Sequence, residues 1–161
     1  MINSTPILSK YFTWEDVTRS STAERLGIDN SIPYELRTNA VRTAYKADAV
    51  REALANPMYV DSWYRSQELN AVLNSKETSD HRKAMAVDFV CPAFGTPVEI
   101  CQFLLHYVDK LKWKQLILEH TWVHISFYET SIEENRYGEV LTLLSGGGYA
   151  YGLTDIYGKK L

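Results

Sequence analysis

The stretch Ser79 to Cys91, SDHRKAMAVDFVC, sets a carboxylate, Asp88, inside an apolar run of strand-forming residues, seven positions after His81. A charge in mid-run is costly to bury unless it has a partner. A fully extended chain from 81 to 88 would span roughly 23 Å at about 3.3 Å per residue, so the two side chains share a ligand only if the chain turns between them. Arg82-Lys83-Ala84 is the one place for that turn. His81 then sits on a loop that doubles back over a strand at about 84 to 90. On that strand Ala84, Ala86 and Asp88 share a face by the period of two, and small residues beside a carboxylate leave open space.

A third donor is expected from a neighbouring strand, and WVHISF supplies His124 with Trp122 and Ser126 on the same face. Two histidines and an aspartate with water in the fourth position are the donors of a catalytic zinc, whereas a structural zinc has all four positions closed by protein. One carboxylate leaves the centre net positive, so its water can ionise near neutral pH. Each residue also has a plainer reading. A strand histidine can be packed and hydrogen-bonded in the core, and Asp88 can cap a turn or pair with Arg82 or Lys83. His106 falls on a helix and reads as an ordinary polar residue, while His120 flanks the turn next to the proposed site.

The rest of the chain frames this pattern as α+β. Its 161 residues, 45% apolar and 23% charged, read as a single domain over 1–161, with 145–161 as a terminal hairpin or tail. Thr13 is placed to cap a helix, a second short helix runs from Thr22 to Gly27, and residues 34 to 55 carry apolar side chains at helical spacing. Ser66 can cap another short helix, and Thr96 with Pro97 starts one over 96 to 111. MYVDSWYRS, KQLILE and WVHISFY read as strands, and EVLTLLSGGGYAYGL as a hairpin or loose connection. The expected architecture is a small antiparallel sheet carrying the metal site, packed against helices.

Composition narrows the function. A net charge of −3 and no basic stripe argue against nucleic acid as a partner, and no apolar run is long enough for a membrane span. The opening MINSTPILSKYFTW lacks a basic patch followed by a long apolar segment, so no export signal is expected. Cys91 and Cys101 lack a Cys-x-x-Cys spacing and read as reduced, buried thiols.

Ser79-x-His81, then Asp88, then Trp122-Val123-His124 resembles the M15 family of zinc peptidases. The likeness is strongest to the branch common in phages, related to D-alanyl-D-alanine carboxypeptidases and L-alanyl-D-glutamate endolysins. LSKYFTWEDVTRSSTAERLGIDN, SWYRSQELNAVL and QLILEHTWVHISF match that branch in kind and order, so the resemblance covers most of residues 8 to 128. It implies a hedgehog-like α+β fold with Zn2+ held by His81, Asp88 and His124. It also implies that Arg65 holds a substrate carboxylate or the oxyanion, that Ser79 orients His81 or touches substrate, and that Trp122 contacts substrate.

Two positions depart from the family pattern. Ala84 stands where many relatives carry glycine, and a positive φ there would cost alanine about 1 kcal/mol. Thr121 stands three residues before the last histidine, where several members have the acidic general base. Glu119 is the substitute, its carboxylate turned toward the metal by a short turn at His120-Thr121. The implied activity is hydrolysis of a peptidoglycan stem-peptide or cross-bridge amide involving D-amino acids. The resemblance further implies a phage product, made in the cytoplasm and acting at the bacterial cell wall, alone or beside other virion proteins. The alternative is a catalytically inactive virion or tail protein that keeps the fold for structure or wall binding. A third reading, a cytoplasmic domain with unrelated histidines and aspartate, predicts no stoichiometric metal.

Overall fold

The structure is a computed structural model that describes residues 6 to 130 and 133 to 161. Local signals set the helices. Thr13 and Asp16 form a capping box at the start of α1 (Trp14–Thr18), each side chain accepting the other's backbone N–H. The Ser20 hydroxyl caps α2 (Ser21–Leu26), so this helix begins one residue before Thr22, and it ends on Gly27 at φ 67°. Residues 34 to 36 form a 3-10 turn that leads into α3 (Arg37–Leu54), which buries Ala40, Ala44, Ala47, Val50 and Leu54. Buried Asp48 on α3 accepts from the Ser9 hydroxyl at 2.9 Å and from the N–H groups of Lys10 and Tyr11, fastening the N-terminal segment.

Ser66 caps α4 (Gln67–Val72), and Thr96 caps α5 (Pro97–Leu104) with proline in its first turn. The expected helix over 96 to 111 is interrupted, because the chain tightens into a 3-10 turn at Leu105–Tyr107 before α6 (Val108–Leu111). None of the described helices is long and apolar enough to cross a membrane.

Six strands form one sheet: β1 (Tyr59–Ser62), β2 (Ala86–Val90), β3 (Gln115–Leu118), β4 (Val123–Ser126), β5 (Glu139–Leu143) and β6 (Tyr149–Tyr151). Their order is β1-β2-β4-β3-β5-β6. Neighbours are antiparallel except β3 and β5, which run parallel. The connection from β4 to β5 is long enough to cross over β3, which a hairpin could not do.

The register explains the charge in the apolar run. Ser62, Asp88, His124, Ile117, Leu141 and Tyr151 stand opposite one another across the six strands. The alternate positions Val87, Phe89, Leu116, Leu118, Val123 and Ile125 belong to the core that α3 and α5 share with the other face. One face of the sheet therefore serves packing and the other is free to carry chemistry.

The turn before β2 falls where the sequence requires it. Asp80–Lys83 make a 3-10 turn that Ala84 ends at φ 59°. A residue in that conformation cannot belong to a strand, so β2 starts at Ala86, and Ala84 does not join Ala86 and Asp88 on the strand face. The Ala84 carbonyl accepts the indole N–H of fully buried Trp63 at 3.0 Å. Trp63→Phe leaves that carbonyl without its donor and is expected to lower stability by about 1–3 kcal/mol. The check is a lower denaturant midpoint at unchanged slope; an unchanged midpoint would mean that the bond does not hold the turn.

Candidate metal centre

His81 lies in the 3-10 turn with its Nδ1 2.6 Å from the Trp63 carbonyl oxygen. A carbonyl oxygen accepts, so Nδ1 carries the proton and Nε2 the lone pair. Nε2 is buried without a hydrogen-bond partner among the described residues and faces Asp88 Oδ1 at 3.2 Å. His124 Nδ1 is 2.9 Å from that same oxygen. Ligand atoms of His81, Asp88 and His124 all lie within 4.8 Å of one another.

These atoms suit a metal ion. A lone pair and a carboxylate oxygen this close repel unless a cation lies between them, and burial lowers the pKa of His81, which disfavours a proton there. Donors on a tetrahedral zinc with bonds of about 2.0–2.1 Å are about 3.3 Å apart, near the separations seen here. Burial pushes Asp88 upward, but the neighbouring histidines, through charge and hydrogen bonds, hold it well below the usual carboxylate range. Burial likewise opposes charge on His124, yet its hydrogen bond to Asp88 and the negative charge of Asp88 leave its pKa raised.

Arg65 completes the group from the segment after β1. Its Nη2 donates to Asp88 Oδ2 at 3.1 Å and its Nε to Ser62 Oγ at 3.0 Å. The guanidinium thus holds the second carboxylate oxygen and leaves Oδ1 to face the histidines.

A cavity of about 990 Å³ opens on this cluster and is lined by Arg65, Ser79, His81, Asp88, Glu119, Trp122 and His124, the seven residues to which the family resemblance gives a role. Glu119 is aimed by register and not by a backward swing of the turn. Its N–H donates to the Trp122 carbonyl at 3.1 Å, continuing the β3–β4 ladder by one pair. By the period of two, Glu119 shares the face of Ile117 and His124. Burial, reinforced by the charge of Asp88, raises its carboxyl pKa against the opposing pull of His124 and Arg65. Thr121 is exposed in the turn, and neither it nor His120 lines the cavity. His106 is exposed on its 3-10 turn.

Ser79 caps the turn, its hydroxyl accepting the His81 N–H at 3.3 Å. The indole N–H of Trp122 is buried with no partner among the described residues. Sequence reading missed the Lys114–Asp80 ion pair at 2.8 Å beside the cavity, and Leu141 and Tyr149, which line it from the C-terminal hairpin. It also missed Trp63, whose contribution to His81 is a backbone carbonyl and leaves no side-chain signature.

Over residues 10–126, a span that contains all seven of these positions, the sequence matches the family Peptidase M15. The chain belongs to the M15 peptidase family. No curated protein matches it. Membership makes it a metallopeptidase of the peptidoglycan-related kind, and the His81, Asp88 and His124 group can hold the metal that M15 peptidases typically require.

After dialysis against zinc and then buffer, the protein is expected to retain about one metal equivalent per chain by elemental analysis. His81→Ala, Asp88→Ala and His124→Ala should each lose it. Zinc should also raise the thermal midpoint of the wild type and not of these variants, because only a folded site binds it. Equal metal content in all four proteins would remove this cluster as the site.

Proposed function

We propose that the protein is a zinc-dependent peptidase that hydrolyses a stem-peptide or cross-bridge amide of peptidoglycan involving D-amino acids. The observation that carries this reading is the convergence of His81, Asp88 and His124 with Glu119 and Arg65 on one cavity. When bound, zinc supplies Lewis acidity for carbonyl polarisation and water activation.

The protein groups do the rest. Glu119, as the carboxylate, takes a proton from the attacking water and returns it to the leaving amine. Arg65, anchored on Asp88 and Ser62, sets positive charge beside the carbonyl oxygen as it becomes negative. Trp122 lines the same cavity, where its ring can contact the substrate. The exposure of Thr121, together with Glu119 on the site face, supports Glu119 as the base and weakens the inactive alternative. On this reading the partner is a stem peptide in the bacterial wall, and the protein is a phage product acting there as a lysis enzyme or within a virion.

Release of stem peptides or free amines from purified peptidoglycan tests the reading. Glu119→Gln should lower kcat by about 10²–10⁴-fold while the protein keeps its zinc. Zinc-loaded wild type that releases nothing from any wall type would favour the structural alternative. The base works only when ionised, so kcat/KM should fall as pH drops through the Glu119 pKa. A pH–rate profile checks this, and an acidic limb unchanged in a weakly active Glu119→Gln would assign it to another group.

A further inference from the structure

The segment that matches the family ends at residue 126, yet the chain after it reaches the cavity. The entrance to β5 is fixed to the body of the protein. The Gly138 N–H donates to the Trp113 carbonyl at 2.8 Å, and the indole N–H of fully buried Trp113 donates to the Glu139 carbonyl at 3.1 Å. The β5–β6 turn needs Gly147 and Gly148, whose φ values of 83° and 76° disfavour any side chain, and Leu144 N–H to Gly148 O closes it at 3.0 Å. This hairpin is a built part of the sheet.

Its register aims particular side chains. Leu141 pairs with Ile117 on one side and Tyr151 on the other, while Leu143 pairs with Tyr149. Leu141, Tyr149 and Tyr151 therefore share the face of His124 and Asp88. From His124 to Tyr151 the row crosses three strand spacings, about 14 Å, which is the length of about four residues of extended peptide. Leu141 and Tyr149 line the cavity itself, and Tyr149 is 52% exposed, so its ring is open to whatever enters. Burial, with the charges of Glu119 and Asp88, raises the phenol pKa and keeps it a hydrogen-bond donor. The surface is continuous with the candidate metal centre, so its natural occupant is the chain whose amide lies at that centre.

We propose that the C-terminal hairpin forms a second arm of the substrate cleft, in which Tyr149 contacts the stem peptide on one side of the scissile bond. The ring packs on aliphatic side chains and the phenol donates to a peptide carbonyl or carboxylate. This rests on the peptidase reading.

The test uses the zinc-loaded full chain and a synthetic pentapeptide stem ending in D-Ala-D-Ala. Tyr149→Ala is expected to lower kcat/KM about tenfold, with Tyr149→Phe between the two. Zinc content and thermal midpoint should stay at wild-type values, which separates contact with substrate from a structural role. Equal kcat/KM for wild type and Tyr149→Ala overturns the inference and leaves the peptidase reading standing. If the wild type does not cleave this peptide, calorimetric titration with it decides. A Kd about tenfold weaker for Tyr149→Ala supports the contact. An equal Kd overturns the contact, and so does no binding by the wild type, while the peptidase reading stands or falls on release from purified peptidoglycan.

Discussion

The hydrogen bond between His81 Nδ1 and the Trp63 carbonyl, at 2.6 Å, is the contact on which the site depends. It fixes the tautomer and the ring plane, and so decides which nitrogen meets Asp88. Two further bonds lock the same two segments together. The Trp63 indole donates to the Ala84 carbonyl and the Arg65 N–H donates to the His81 carbonyl. Segment 63–65 and turn 80–84 thus hold each other, and the positive φ of Ala84 is retained because the contacts around it over-determine it.

The second constraint is the division of the sheet into two faces. Strand β2 alternates Val87 and Phe89 into the core with Ala86 and Asp88 toward the site, and β4 does the same with Ile125 and His124. Apolar burial on one face secures the strands, which lets the other face carry polar groups in fixed register. The buried carboxylate is tolerated because Arg65, His81 and His124 surround it, since a buried charge is stable only when paired and hydrogen-bonded. The same alternation puts Glu119 and Tyr149 on the site face of the sheet.

Much of this was legible in the sequence because it is local. Thr13, Ser66 and Thr96-Pro97 announce helix starts through capping chemistry, and the turn before Asp88 is forced by the distance an extended chain would span. His81, Asp88 and His124 stand out by residue type and strand periodicity, and the structure brings their ligand atoms within 4.8 Å of one another. What stayed hidden is long-range. The parallel pairing of β3 with β5 depends on where a long connection returns, and local pattern carries no record of that. Trp63 acts on His81 through its main chain, which any residue shares. Glu119 lines the cavity through its pairing with Trp122 and not through the turn expected to swing it.

X-ray absorption at the zinc edge of the loaded protein tests the central claim most directly, because it reads the donors themselves. Two imidazole nitrogens and one carboxylate oxygen with a single further light atom, at distances of about 2.0–2.2 Å, are expected. Sulfur in that shell, or a shell of oxygen alone, would contradict the assignment of His81, Asp88 and His124 as the metal centre.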